Sequence, residues 1–239
     1  LSIDYAKSPE HPYPHALNDC WQVYNWLRNE SHYHFRLSPN KKIIVAGDSS
    51  GGNLSLALTN LCIANDVRSP DAIATFYPGT TSPIKHQYEI KLVYSKSAHT
   101  FDDPLIFFGF LLFCQRSYVQ NPLFDPAKDY LLSPLFTPDN ILQRFPPIRI
   151  FVGSKDPLFD DTVRLALRLF KYAVIQSQLG RREAYLLREY DSRVPLDGHA
   201  GRSGGMQPMR EGFSQLHKRT DSNEQHLKHR PQNAITYSH

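Results

Sequence analysis

The chain has 239 residues, 41% hydrophobic and 12% aromatic, enough apolar material for one sizeable core at the ~100–250 residues usual for a single domain. Its formal charge of +4 is spread along the sequence, apart from a Lys, Arg and His excess near the C-terminus, so no focused basic face speaks for nucleic acid. Cys20, Cys62 and Cys114 show no C-x-x-C spacing, which argues against a disulfide framework or a zinc site and for reduced structural thiols.

Leu1 to Tyr5 reads as a strand end, the turn SPEHPYP follows, and His15 to Leu27 carries helical apolar spacing at Leu17, Cys20, Trp21, Tyr24 and Leu27. The sequence opens inside a strand-like segment with no Met and no leader-like stretch. We therefore expect the first strands of the sheet to be missing and an exposed sheet edge at Leu1 to Tyr5, and the absence of a leader carries no weight; a cytoplasmic location with lipid-droplet contact is a separate expectation that this absence does not support. Asn29-Glu30-Ser31 fits a glycosylation acceptor, but with no secretory signal it reads as ordinary helix-end sequence.

Ile43 to Ala46 is a short apolar run, a helix follows from Gly52 to about Ala64, and Ala72 to Tyr77 is the next strand, ending at Pro78. Such runs, apolar without alternation, predict strands buried on both faces of a parallel sheet. LIFFGFLLFC, Leu105 to Cys114, is about half the ~20 residues a membrane-spanning helix needs, and is read as a core helix in preference to an acyl-pocket wall. The proline-broken stretch from Asn121 to Pro147 predicts a surface-hugging connection. Ile148 to Val152 is a strand, Asp161 to Ala173 a helix, and Ala184 to Leu187 a further strand that runs out near Tyr190. Strands alternating with helices give an α/β fold with a mostly parallel sheet over residues 1–190. Residues 191–239 are polar and rich in His, Arg, Gln and Ser, a composition that predicts a disordered tail.

Within that alternation, KIIVAGDSSGGNLSLAL places Gly47-Asp48-Ser49-Ser50-Gly51 between strand and helix. This is the G-x-S-x-G elbow in the context it requires, a tight strand-to-helix turn that lifts the Ser49 hydroxyl above the strand ends. The helix N-terminus beside it favours a developing oxyanion, with the Ser50 N–H as one donor. Ser50 itself points away and is the weaker nucleophile candidate. A serine hydroxyl needs a base and an orienting acid. Asp156, in FVGSKDPLFDD just past a strand, is the acid candidate, while Asp160 or Asp161 better fits the cap of the following helix. His199, in VPLDGHAG, is the first histidine after Asp156 and the candidate base, set against the plainer reading of a solvated loop histidine.

LSIDYAKSPEHPYPHALNDCWQVYNWL resembles the D-Y-x-x-x-P-E-x-P-F-P segment of the hormone-sensitive lipase family of α/β-hydrolases, and AGDSSGGNL resembles its nucleophile elbow. The likeness continues through RSPDAIATFYPGT and YLLSPLFTPDNILQRFPPIRIFVGSKDPLFDD, from about Leu1 to Lys171. It implies an α/β-hydrolase fold, Ser49 as nucleophile, Asp156 as triad acid, and carboxylic esters as substrates, cleaved through an acyl-serine. No metal or organic cofactor is implied. Two departures stand out: the family's H-G-G-G-type oxyanion loop, which precedes the D-Y-x-x-x-P-E segment, is not in this sequence, and GHA stands where the family has H-G-F or H-G-Y. The leading expectation is a serine lipase or esterase with a small-molecule or lipid ester as its partner. The alternatives are a non-catalytic binder of the same fold, like the gibberellin receptors that lost the catalytic histidine, and an inactive fragment.

Overall fold

The structure is a computed structural model that describes residues 1–38, 40–82, 108–121, 123–153, 156–178 and 186–190. All of these fall in the part of the chain, Leu1–Pro195, that is distinct from Leu196–His239. The tail predicted over 191–239, with His199, lies outside the described residues.

Helix α1 (His15–Asn29) forms where the apolar spacing predicted it, burying Leu17, Cys20 and Tyr24 on one face. A single turn, α2 (Ser31–His34), follows. Ser31 is fully buried, and its hydroxyl donates to the Leu27 carbonyl at 2.6 Å, so it serves packing at the end of α1. Then come β1 (Ile44–Asp48), α3 (Ser50–Ala64), β2 (Ala72–Phe76), α4 (Phe108–Tyr118), the short α5 (Asp139–Leu142), β3 (Ile148–Gly153), α6 (Phe159–Gln178) and β4 (Leu186–Tyr190). The four strands are parallel in the order β1-β2-β3-β4, with Ile44 opposite Ala72, Ile73 opposite Ile148, and Arg149 opposite Leu186.

Strands β1 to β3 are not buried on both faces as their composition predicts. Val45, Ile73, Ile148 and Ile150 share one face in register and pack against Leu56 and Ile63 of α3, Leu165 and Leu169 of α6, or the α1–α3 cluster. On the other face Ile44 is 67% and Phe76 40% exposed. The described helices that pack on the sheet all do so on the first face, which leaves β1 to β3 with an alternating pattern. Phe76 and Phe151, register neighbours on the open face, stack at 4.8 Å and shelter each other.

Three other expectations change. Leu1 to Tyr5 makes no ladder; Ile3 and Tyr5 lean on the α1–α3 cluster, and the Ala6 N–H donates to Asp19 Oδ2 at 2.8 Å. These contacts hold the segment in place without the backbone pairing that defines a strand. The edge strands of the described sheet are accordingly β1 and β4, and Leu1 to Tyr5 is not one of them. Helix α4 is a surface helix, with Phe113 64% exposed, and is held through its last turn, where Tyr118 meets Tyr13 edge-on at 5.6 Å. The proline-broken connection does not hug the surface, because Leu132, Leu135, Leu142 and Phe145 are buried. Its backbone polar groups find donors from the flanking helices: Asn60 Nδ2 donates to the Tyr130 carbonyl at 3.1 Å, and Arg168 donates to the carbonyls of Leu135 and Thr137.

The open ends of β1 and β2 are tied by Asp71. Its Oδ2 accepts from the Ile43 N–H and from Arg68 Nη2, both at 2.8 Å, and Lys42 Nζ lies 3.6 Å from Oδ1. Burial works against this charge, but the Ile43 N–H, Arg68 and Lys42 outweigh it and hold the carboxyl below its ordinary value. A carboxyl depressed in the folded state contributes stability above its unfolded pKa of ~3.9 and loses that contribution as pH falls through the folded value. Asp71→Asn is therefore expected to cost about 1 kcal/mol at pH 7, with the melting-temperature gap to wild type closing in scans below about pH 4.

Candidate active site

The junction of β1 and α3 is built by close backbone approach. A Cβ on Gly47 would stand 2.3 Å from both the carbonyl carbon and oxygen of Gly51, and one on Gly52 would stand 2.9 Å from Pro78 Cβ. Gly51 is different, since its added Cβ would meet nothing nearer than Asp48 Oδ1 at 3.9 Å. Two of the three glycines thus let backbone segments touch, while the second glycine of the G-x-S-x-G pattern is not sterically required.

Ser49, at the apex, has φ 47° and ψ −112°. For a residue with a side chain this conformation costs on the order of 1–3 kcal/mol and persists where surrounding structure imposes it. The constraints are visible. The Ser49 N–H donates to the Phe76 carbonyl at 2.9 Å, and its own carbonyl accepts from Asn53 N–H at 3.1 Å and Gly79 N–H at 3.3 Å. Helix α3 begins at Ser50, so the first-turn N–H groups stand beside the Ser49 side chain without intrahelical partners, at the positive end of the helix dipole.

Asp156 sits just past β3, at the carboxyl end of the sheet where β1 also ends. Ser49 and Asp156 therefore both follow strands that end at the same, carboxyl end of the parallel sheet, with only β2 between those strands. Asp156 is half-buried; its Oδ1 accepts from the Leu158 N–H at 2.8 Å and its carbonyl from the Phe159 N–H at 3.0 Å. Here the structure revises the division of labour among the aspartates. Helix α6 starts at Phe159, so Asp160 and Asp161 lie inside its first turn, where negative charge is favourable but capping is not their task. Asp161, 8% exposed, accepts instead from Thr81 Oγ1 at 2.8 Å and fastens the chain after β2 to α6. The bond to a backbone N–H at the helix entrance falls to Asp156.

The structure also brings in Tyr5, which sequence reasoning missed: its hydroxyl lies 3.3 Å from Ser50 Oγ. No periodicity signals a contact across 45 positions; only the D-Y element of the resembling segment marks the residue. His199 lies outside the described residues. Among the described residues there is no cluster of three or more His, Cys, Asp or Glu fit to hold a metal, and no helix is long and apolar enough to cross a membrane. Cys20 and Cys62 are buried thiols, pushed up by burial to about 11 and about 12, which suits packing and not nucleophilic work.

Residues 1–177 match the family with the alpha/beta hydrolase fold. Among curated relatives, the chain is 42% identical to hormone-sensitive lipase of Bos taurus over 80 residues, 34% of this chain and 10% of that protein. It is 33% identical to the carboxylic ester hydrolase LipN of Mycobacterium tuberculosis over 191 residues, 75% of this chain and 46% of that protein. The chain spans at most about half the length of these relatives. Among solved structures, carboxyl esterase 2 of the mycorrhizal fungus Tuber melanosporum superposes with a TM-score of 0.61 at 23% identity, over 78% of this chain and 56% of the other, a likeness of fold.

Proposed function

The chain belongs to the α/β-hydrolase fold family and is of the hormone-sensitive lipase type, and from that premise we propose that it is a serine carboxylic ester hydrolase working through an acyl-serine. The observation that carries the reading is Ser49, held at positive φ on a strand-to-helix turn beside the N-terminus of α3. In the proposed reaction Ser49 Oγ attacks the ester carbonyl while His199 takes its proton. The tetrahedral oxyanion is stabilised by the Ser50 N–H at the head of α3. Collapse expels the alcohol, protonated by His199, and leaves an acyl-Ser49 ester. Water, deprotonated by the same histidine, then releases the carboxylic acid and restores the serine.

Asp156 is the proposed acid that orients His199 and stabilises its charged form. Its place just past β3, at the same end of the parallel sheet as Ser49, supports this. The proposed substrates are acyl esters, small or presented at a lipid surface.

The test is hydrolysis of p-nitrophenyl butyrate by the chain beside Ser49→Ala and His199→Ala, with folding followed by circular dichroism. Turnover lost in both variants supports the whole assignment. Turnover lost only in Ser49→Ala keeps the nucleophile and moves the base to another histidine. A folded wild-type chain that binds the ester without turning it over would replace the enzyme with a non-catalytic binder of the same fold.

A further inference from the structure

We propose that Asn53 is the positioning residue that keeps the elbow in its reactive shape by gripping the turn after β2; the inference rests on Ser49 being the nucleophile. The Ser49 carbonyl is fixed from two sides, by the Asn53 N–H at 3.1 Å and the Gly79 N–H at 3.3 Å. The Gly79 contact holds only while the turn stays against α3. Asn53 secures it a second time, through its side chain: Nδ2 donates to the Gly79 carbonyl at 2.6 Å and to the Leu132 carbonyl at 3.0 Å. Ser49, Gly79 and Asn53 thus close a small ring in which one residue supplies both the backbone and the side-chain link.

Other bonds show that the site of this grip is a junction. Ser82 N–H donates to Ser133 Oγ at 3.0 Å and Leu135 N–H to the Thr80 carbonyl at 2.9 Å, so the turn and the segment around Leu132 are already laced together. Thr162 Oγ1 of α6 reaches the Pro78 carbonyl at 3.4 Å, while Gly52 lets α3 approach Pro78 closely. Asn53 is where that assembly is fastened to the elbow.

The chemistry of the position selects an amide. Two carbonyl oxygens converge on one side-chain atom, so it must offer two hydrogens, which a primary amide does. Alanine leaves both carbonyls without this donor, and aspartate sets an acceptor-only carboxylate against them. An aspartic acid placed there has its pKa raised by the two carbonyl dipoles, and once protonated it can donate to one of them.

The experiment is the rate at which Ser49 is labelled by a fluorophosphonate, read by intact mass and peptide mapping, at temperatures where circular dichroism shows each variant folded. Asn53→Ala is expected to label about tenfold more slowly than wild type, with an unshifted pH profile, as the loss of two ordinary hydrogen bonds would give. Asn53→Asp is expected to be slower still at neutral pH and to gain on wild type as the pH is lowered, a reversal that general loosening does not produce. Asn53→Ser, which keeps one donor, serves if Asn53→Ala fails to fold and is expected to fall between alanine and wild type. Folded variants that label at the wild-type rate would overturn the inference and leave Ser49 as nucleophile. A folded wild-type protein that takes no label would remove the nucleophile and the inference together.

Discussion

Gly47→Ala is expected to unfold the chain, while Gly51→Ala, four residues on in the same motif, is expected to melt at or slightly above the wild-type temperature. At Gly47 the new methyl would lie 2.3 Å from the Gly51 carbonyl carbon and oxygen, backbone atoms that cannot swing aside. Relief would require β1 and α3 to part, at a cost upwards of about 3 kcal/mol, a large share of the stability of an ordinary domain. At Gly51 the nearest atom is Asp48 Oδ1 at 3.9 Å, and alanine in a first helical turn restricts the unfolded chain, a gain of up to ~1 kcal/mol. Thermal scans of the two variants decide it, and equal melting temperatures would mean that the packing at the elbow is not as described.

The second large effect is expected at Asp156. Asn keeps an oxygen to accept the Leu158 N–H, so Asp156→Asn is expected to fold as wild type does. It removes the charge that would hold the catalytic imidazole in its working tautomer, and turnover of p-nitrophenyl butyrate is expected to fall by about ten-thousand-fold. A variant within tenfold of wild type would reduce Asp156 to the residue that shapes the entrance to α6 and would move the acid elsewhere at the carboxyl end of the sheet.

Much of this was legible in the sequence because it is decided locally. KIIVAGDSSGGNL carries its strand, turn and helix within one short stretch, and β1, Ser49 and α3 form there in that order. The helix after β3 was also visible in its apolar spacing, although its start moved from Asp161 to Phe159. That shift mattered more than its size suggests, because it made Asp156, not Asp160 or Asp161, the acceptor at the helix entrance.

What stayed illegible depends on residues far apart in the chain. Ile44 and Ile73 look alike in composition, yet one is 67% exposed and the other 2%, because the described helices pack on the face that carries Ile73 and not on the face that carries Ile44. Phe145 sits among prolines in a stretch that reads as surface loop, and is 1% exposed because α6 and the sheet close over it. The contact of Tyr5 with Ser50, and the grip of Asn53 on Gly79 and Leu132, likewise join segments that share no local pattern.

An acyl-serine on Ser49 is tested directly by mixing the chain with p-nitrophenyl butyrate, quenching in acid, and measuring the intact mass and the peptide that carries any adduct. The expected result is a gain of one butyryl group on the peptide containing Ser49, absent in Ser49→Ala and formed together with a burst of nitrophenol. Turnover with no covalent adduct, or a butyryl group that persists in Ser49→Ala, would contradict it.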